Sequence, residues 1–149
     1  MHLEFGVQRW SPNLQQDNDL IEKVQRKTTR MITGIPHLSY EERLKYQNIF
    51  LLHYRRIRRD MRQVFKIIKE MDGLKFQEFF ELDQNTRTRG HRFKIKKFRS
   101  RLEIRKNCFS QRVVGWWNKL PDEVFDCNSV ESFKLKLDKF MIGNLEGFL

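Results

Sequence analysis

With 39% hydrophobic and 13% aromatic side chains, the 149 residues suffice for one modest domain with a core, or for a piece of a larger one. A mean hydropathy of −0.71 keeps that core compact, and no run of about eighteen apolar residues offers a membrane span. The formal charge is +11, and the first residues show no basic region leading into an apolar one, so a nuclear or cytoplasmic chain is expected rather than a secreted one.

The first strong periodicity predicts a helix from Asp17 to Thr33. Leu20, Ile21, Val24, Thr28 and Met31 would form its buried face, with Lys23, Arg26, Lys27 and Arg30 outward. Asp17 or Asn18 is placed to cap it, and Gly34 with Pro36 to end it. Glu22 and Arg26 stand four apart, a pair worth about 0.3 kcal/mol on a helix surface. Ser39-Tyr40-Glu41-Glu42 is a capping box that opens a helix from Tyr40 to about Tyr46. Gln47, which follows, must find a polar partner or stay wet.

The longest predicted helix runs from Leu51 to Met71, with Leu51, Tyr54, Ile57, Met61, Val64, Ile68 and Met71 in steps of three and four. Gly73 is the expected left-handed cap. Arg55, Arg59, Arg62, Lys66 and Lys69 share an outward stripe with three readings: a solvated face, a phosphate-facing stripe, or a membrane-surface or calmodulin-type helix. Phe76, Phe79, Phe80 and Leu82 form a short amphipathic piece, and residues 85–91 a loop. Phe93 and Ile95, then Leu102 and Ile104, alternate with basic or polar residues. Period two suggests two short strands, a hairpin around Arg99-Ser100-Arg101, or an extended segment wrapping the helical body.

Phe109, Val113, Trp117 and Leu120 recur at helical spacing before Pro121, which cannot continue a helix. Ser129 can cap a further helix carrying Val130, Phe133, Leu137 and Phe140. This helical hairpin holds the largest apolar reserve and should be core, with Trp117 at its centre. After Phe140 the tail should fray. The expected fold is therefore mostly α: a small helical bundle with a short β-hairpin or extended basic segment near residues 91–105. Its regions are 1–36, a helical 37–83, a basic 84–107, the hairpin 108–141 and a frayed 142–149.

The charge is unevenly placed. From Arg87 to Arg112 there are eleven Lys or Arg residues against one acid, Glu103, while the rest of the chain is almost neutral. That concentration points to a polyanion, most simply RNA or DNA. Chemistry is harder to find. Cys108 and Cys127 lack zinc-site spacing, the four histidines are scattered, and reduced thiols are expected rather than a disulfide. There is no Asp-Asp pair of the kind that holds two metal ions for nucleotide transfer, and no serine hydrolase, P-loop or dinucleotide signature. The expectation is a chain that is not an enzyme and takes no metal, no cofactor, no membrane and no small-molecule substrate.

Several stretches carry a resemblance. These are Leu3-Glu4-Phe5-Gly6-Val7 with Trp10-Ser11-Pro12, the run from Asp17 through Arg26, His37 through Leu44, Thr88-Arg89-Gly90-His91, and Phe109 through Val114. Trp117-Asn118, Leu120-Pro121, Ser129-Val130 and Phe133-Lys134 complete the set. In order and spacing they resemble the thumb remnant and C-terminal region of reverse transcriptases encoded by non-LTR (LINE-type, jockey-like) retrotransposons. The chain departs at Gln47, where relatives usually put leucine, and at Arg59, where they commonly carry glycine. The resemblance implies a fragment of an RNA-directed DNA polymerase that helps grip template RNA and target DNA beside a reverse transcriptase palm. The residues it and the charge single out are Arg87, Arg89, Arg92, Lys94, Lys96, Lys97, Arg99 and Arg101, then Arg55, Arg59 and Arg62. Phosphate contacts carry affinity and little sequence information, so weak sequence preference is expected. A decayed retroelement remnant without selected function and a small protein-interaction module stand as alternatives.

Overall fold

The computed structural model describes residues 5–32, 34–84 and 90–143. It is mostly helical, as expected: α1 (Val7–Trp10), α2 (Gln15–Arg30), α3 (Tyr40–Tyr46), α4 (Leu52–Ile68), α5 (Phe76–Phe79), α6 (Glu103–Lys106), α7 (Phe109–Asn118) and α8 (Val130–Gly143), with a 3-10 turn at Asp122–Phe125. Two compact units, Met1–Arg56 and Ile57–Leu149, divide the chain within α4.

In the first unit the inward face of α2 is polar. Asn18, Glu22, Gln25 and Thr29 follow one another at helical spacing, and Gln25 and Thr29 are buried. The expected apolar face is the exposed one: Leu20, Val24 and Met31 all face solvent. A hydrogen-bond network explains the rotation, because each buried polar group must be paired. Gln25 Nε2 donates to Tyr40 Oη (3.1 Å) and Phe50 O (3.2 Å), and its Oε1 accepts from Arg55 Nη1 (3.0 Å). Buried Arg43 donates from Nε to Thr29 Oγ1 (3.3 Å) and from Nη1 to Leu38 O. Glu22 does not pair with Arg26. Its Oε1 accepts from the Tyr40 hydroxyl and its Oε2 from the Leu52 amide at 3.0 Å, which satisfies an orphan donor at the start of α4. Burial, then the bond to Glu22, pushes the Tyr40 hydroxyl well above its usual titration range.

Neither Asp17 nor Asn18 caps α2. Leu14 holds that place, and Asn18 Nδ2 donates back to its carbonyl. The capping box of α3 forms as read: Glu42 N donates to Ser39 Oγ and Ser39 N to Glu42 Oε2 at 2.8 Å. Gln47 Nε2 is buried and finds no partner among the described residues.

Helix α4 buries a wider face than its apolar stripe suggested. Leu52, Tyr54, Ile57, Met61, Val64, Phe65 and Ile67 are buried, and so are Arg56 and Asp60, whereas Met71 lies beyond the helix and is exposed. The helix ends earlier than expected because Glu70 (φ 53°) already takes the left-handed position that closes it; Gly73 is left-handed as expected (φ 69°) but lies beyond that closure. Met71 N bonds Lys66 O (2.9 Å) and Glu70 N bonds Ile67 O (3.1 Å), a Schellman closure. A side chain there works against its own backbone, so Glu70→Gly should raise stability by roughly 0.5–1 kcal/mol in urea titration.

The second unit is built on aromatic packing. Phe65 stacks on Phe133 with centroids 4.3 Å apart, and Trp117 meets Phe125 edge-on at 4.9 Å. Val113, Trp117, Leu120, Phe133 and Leu137 are buried as expected, and Val124, Phe125 and Met141 join them. Ser129 caps α8, its Oγ accepting from Ser132 N at 3.1 Å. Cys108 and Cys127 are free thiols, the latter buried. Residues 144–149, most of the tail expected to fray, lie outside the described residues.

Candidate nucleic-acid interface

The basic segment does not form a hairpin. Leu102 and Ile104 are exposed and lie at the entry to and within α6, so there is no second strand for Phe93 and Ile95 to pair with. Residues 91–101 instead form an extended strap. Its one backbone pairing among the described residues is an antiparallel bridge between Ile95 and Leu82, closed by Lys96 N to Glu81 O (2.8 Å) and Asp83 N to Lys94 O (2.9 Å).

The other side of the strap is held by side chains of α7. Asn118 serves as a surrogate strand: its Oδ1 accepts from Ile95 N (2.9 Å) and its Nδ2 donates to Ile95 O (2.8 Å). Trp117 Nε1 donates to Phe93 O at 2.8 Å. His91, buried, stacks on Phe125 at 4.2 Å and lies 3.0 Å through Nε2 from Trp117 O, while its Nδ1 accepts from Phe93 N at 3.2 Å. These bonds define a neutral imidazole with the proton on Nε2. Preceding it, Gly90 has φ 141°, and the Lys94 side chain fills the place where its Cβ would stand.

Burial lowers the His91 pKa, outweighing the Trp117 carbonyl and Asp122, which raise it; Lys94 adds to the lowering. A depressed folded-state pKa means that the unfolded chain binds the proton more readily. The contribution of His91 is therefore complete above about pH 6.5, the ordinary imidazole value, and drains away as pH falls below it. The stability of the wild-type chain relative to His91→Gln should accordingly fall between neutral and mildly acidic pH, followed by urea titration at each pH.

The structure separates the candidate cations by what they touch. Arg87 and Arg89 lie outside the described residues. Arg92 is exposed, its guanidinium 4.9 Å from the Phe93 ring centroid, and Lys94 is half-buried against Gly90. Lys96 pairs with Glu81 at 2.7 Å. Lys97, Arg99 and Arg101 are exposed and make no ion pair with a described residue. Arg112, counted in the basic run, is bound to Asp60 and to Asn107 O, so it holds the fold rather than facing solvent.

The α4 stripe does not stand as one free cationic face. Arg55 bonds Gln25, Arg62 lies 3.8 Å from Glu131, Lys66 pairs with Asp72 at 3.3 Å, and Lys69 sits over the Phe65 and Phe93 rings; Arg59 is exposed. Its neighbour Arg58 meets Asp138 at 2.7 Å through Nη2. Helix α4 thus spends most of its cations on internal partners, and the strap is the stronger candidate surface.

Comparison with family models, curated proteins and solved structures finds no match.

Among the described residues no three His, Cys, Asp or Glu side chains stand together as metal ligands, and no helix is long and apolar enough to cross a membrane. The charge pattern pointed to the strap, but the residues that hold it, His91, Trp117 and Asn118, carry no charge signal. The apolar repeat marked Trp117 for the core, but His91 and Asn118 left no trace in the sequence beyond membership of the Gly-His and Trp-Asn pairs.

Proposed function

We propose that this chain is a non-catalytic C-terminal part of a non-LTR retrotransposon reverse transcriptase. In this reading it grips the backbone of RNA or DNA with weak sequence preference, in the nucleus or cytoplasm where template and target meet, beside a reverse transcriptase palm. The motif order from Leu3 to Phe140 supports the family. One observation carries the binding role: the strap turns its main chain toward α7 and leaves Lys97, Arg99 and Arg101 exposed without an acidic partner among the described residues.

Phosphate binding releases condensed counterions, so log K should fall linearly with log salt, by about 0.9 per phosphate neutralised on duplex DNA and about 0.7 on a single strand. Replacing Lys97, Arg99 and Arg101 together by glutamine should shallow that slope by up to about three such units. Affinity for unrelated sequences should fall by similar factors, because backbone contacts carry no base information. Lys96 is left in place because Glu81 already occupies it. Fluorescence anisotropy over a salt series measures both effects, and an unchanged slope with intact helical circular dichroism removes the strap from the interface.

A further inference from the structure

The strap does not end on a flat surface. Its last residues and α6 and α7 border an open groove of about 440 Å³ whose lining includes Lys97, Phe98, Arg99, Lys106, Gln111 and Gly115. Two features of this groove have no explanation within the fold. Phe98 is a large ring left 43% exposed, flanked in sequence by Lys97 and Arg99 and touched by the Lys96 ammonium 5.3 Å from its centroid. Gly115 sits inside α7, where glycine is unfavourable by about 1 kcal/mol against alanine. Yet a Cβ there would meet nothing within 4 Å, so no neighbour in the fold demands its absence.

An exposed aromatic ring between cations, beside a wall kept bare of side chains, is the arrangement that takes an unpaired base and its phosphates. A duplex buries its base faces in the stack and has none to offer. We propose that this groove is a single-strand nucleic-acid site: Phe98 stacks on a base, Lys97 and Arg99 meet the flanking phosphates, and Gly115 lets the strand approach α7 closely. Lys106, already paired with Glu103, contributes charge at the rim. The proposal rests on the nucleic-acid reading above and adds strandedness to it.

The test uses the full chain with fluorescein-labelled twelve-nucleotide oligo(dT) and oligo(rU), and a hairpin duplex of equal phosphate count, at one low salt concentration. Phe98→Ala should weaken binding to both single strands by about 5- to 150-fold, the range for losing one base–aromatic stack, and leave the duplex nearly unaffected. Gly115→Leu should fill the groove and weaken the single strands selectively, while thermal unfolding shows a fold at least as stable as the wild type. Equal effects on single strand and duplex, or none on either, overturn the single-strand site and leave backbone binding standing. Failure of the wild-type chain to bind any of the probes overturns the nucleic-acid reading itself.

Discussion

Truncating Trp117 to alanine should cost about 3–5 kcal/mol, the range for removing a large buried aromatic side chain. Trp117 is wholly buried, with Phe125 edge-on at 4.9 Å, Phe133 at 6.1 Å and the His91 ring at 6.0 Å. The cost has two parts, a cavity among these rings and a lost hydrogen bond to Phe93 O. Trp117→Phe separates them. It keeps most of the ring volume, orphans the Phe93 carbonyl, and should lose roughly 1–3 kcal/mol. Urea titration measures both variants, and a loss below about 1 kcal/mol for the alanine variant would refute the placement of Trp117 in the core. Trp116, half-buried with Lys119 across its ring, should matter less.

Asp60→Ala should come next. Asp60 is a buried carboxylate on α4 that takes two hydrogen bonds from Arg112 of α7, Nε at 3.0 Å and Nη2 at 3.1 Å. Removing one partner of a buried pair leaves the other charge without compensation, typically a loss of 3–5 kcal/mol. The Arg112 side chain keeps 18% of its exposure, so a value of about 3 kcal/mol is expected here. Once Asp60 is gone, Arg112→Met should cost little more, because the interaction has already been lost. If the two single changes prove additive in denaturant titration, the pair does not join α4 to α7 energetically.

What the sequence made legible was local. The Ser39–Glu42 capping box, the Ser129 cap and the apolar repeat through Val113, Trp117, Phe133 and Leu137 depend on residues a few positions apart. The misread features depend on distant partners. α2 was oriented by its hydrophobic stripe, but Glu22, Gln25 and Thr29 turn inward because Tyr40, Arg43 and Arg55 wait there to bond them. The cations of α4 looked available because Asp138 and Glu131, which engage Arg58 and Arg62, lie about seventy to eighty positions away. Period two at Phe93 and Ile95 correctly indicated extended backbone, but half of the pairing that completes it comes from a side-chain amide on α7, which no strand pattern announces.

That amide has a consequence for how the surface can vary. Asn118 and Trp117 recognise the main chain of Ile95 and Phe93, and a carbonyl or amide reads the same whatever residue carries it. The exposed positions Arg92, Lys97, Arg99 and Arg101 are thus released from the work of holding the segment, which His91, Lys94 and Lys96 still share. Substitution at Arg92, Lys97, Arg99 or Arg101 can redraw the charge presented outward while the scaffold beneath stays as it was. The clamp makes the strap an exchangeable cartridge, in which what is displayed and what does the holding are specified by different residues.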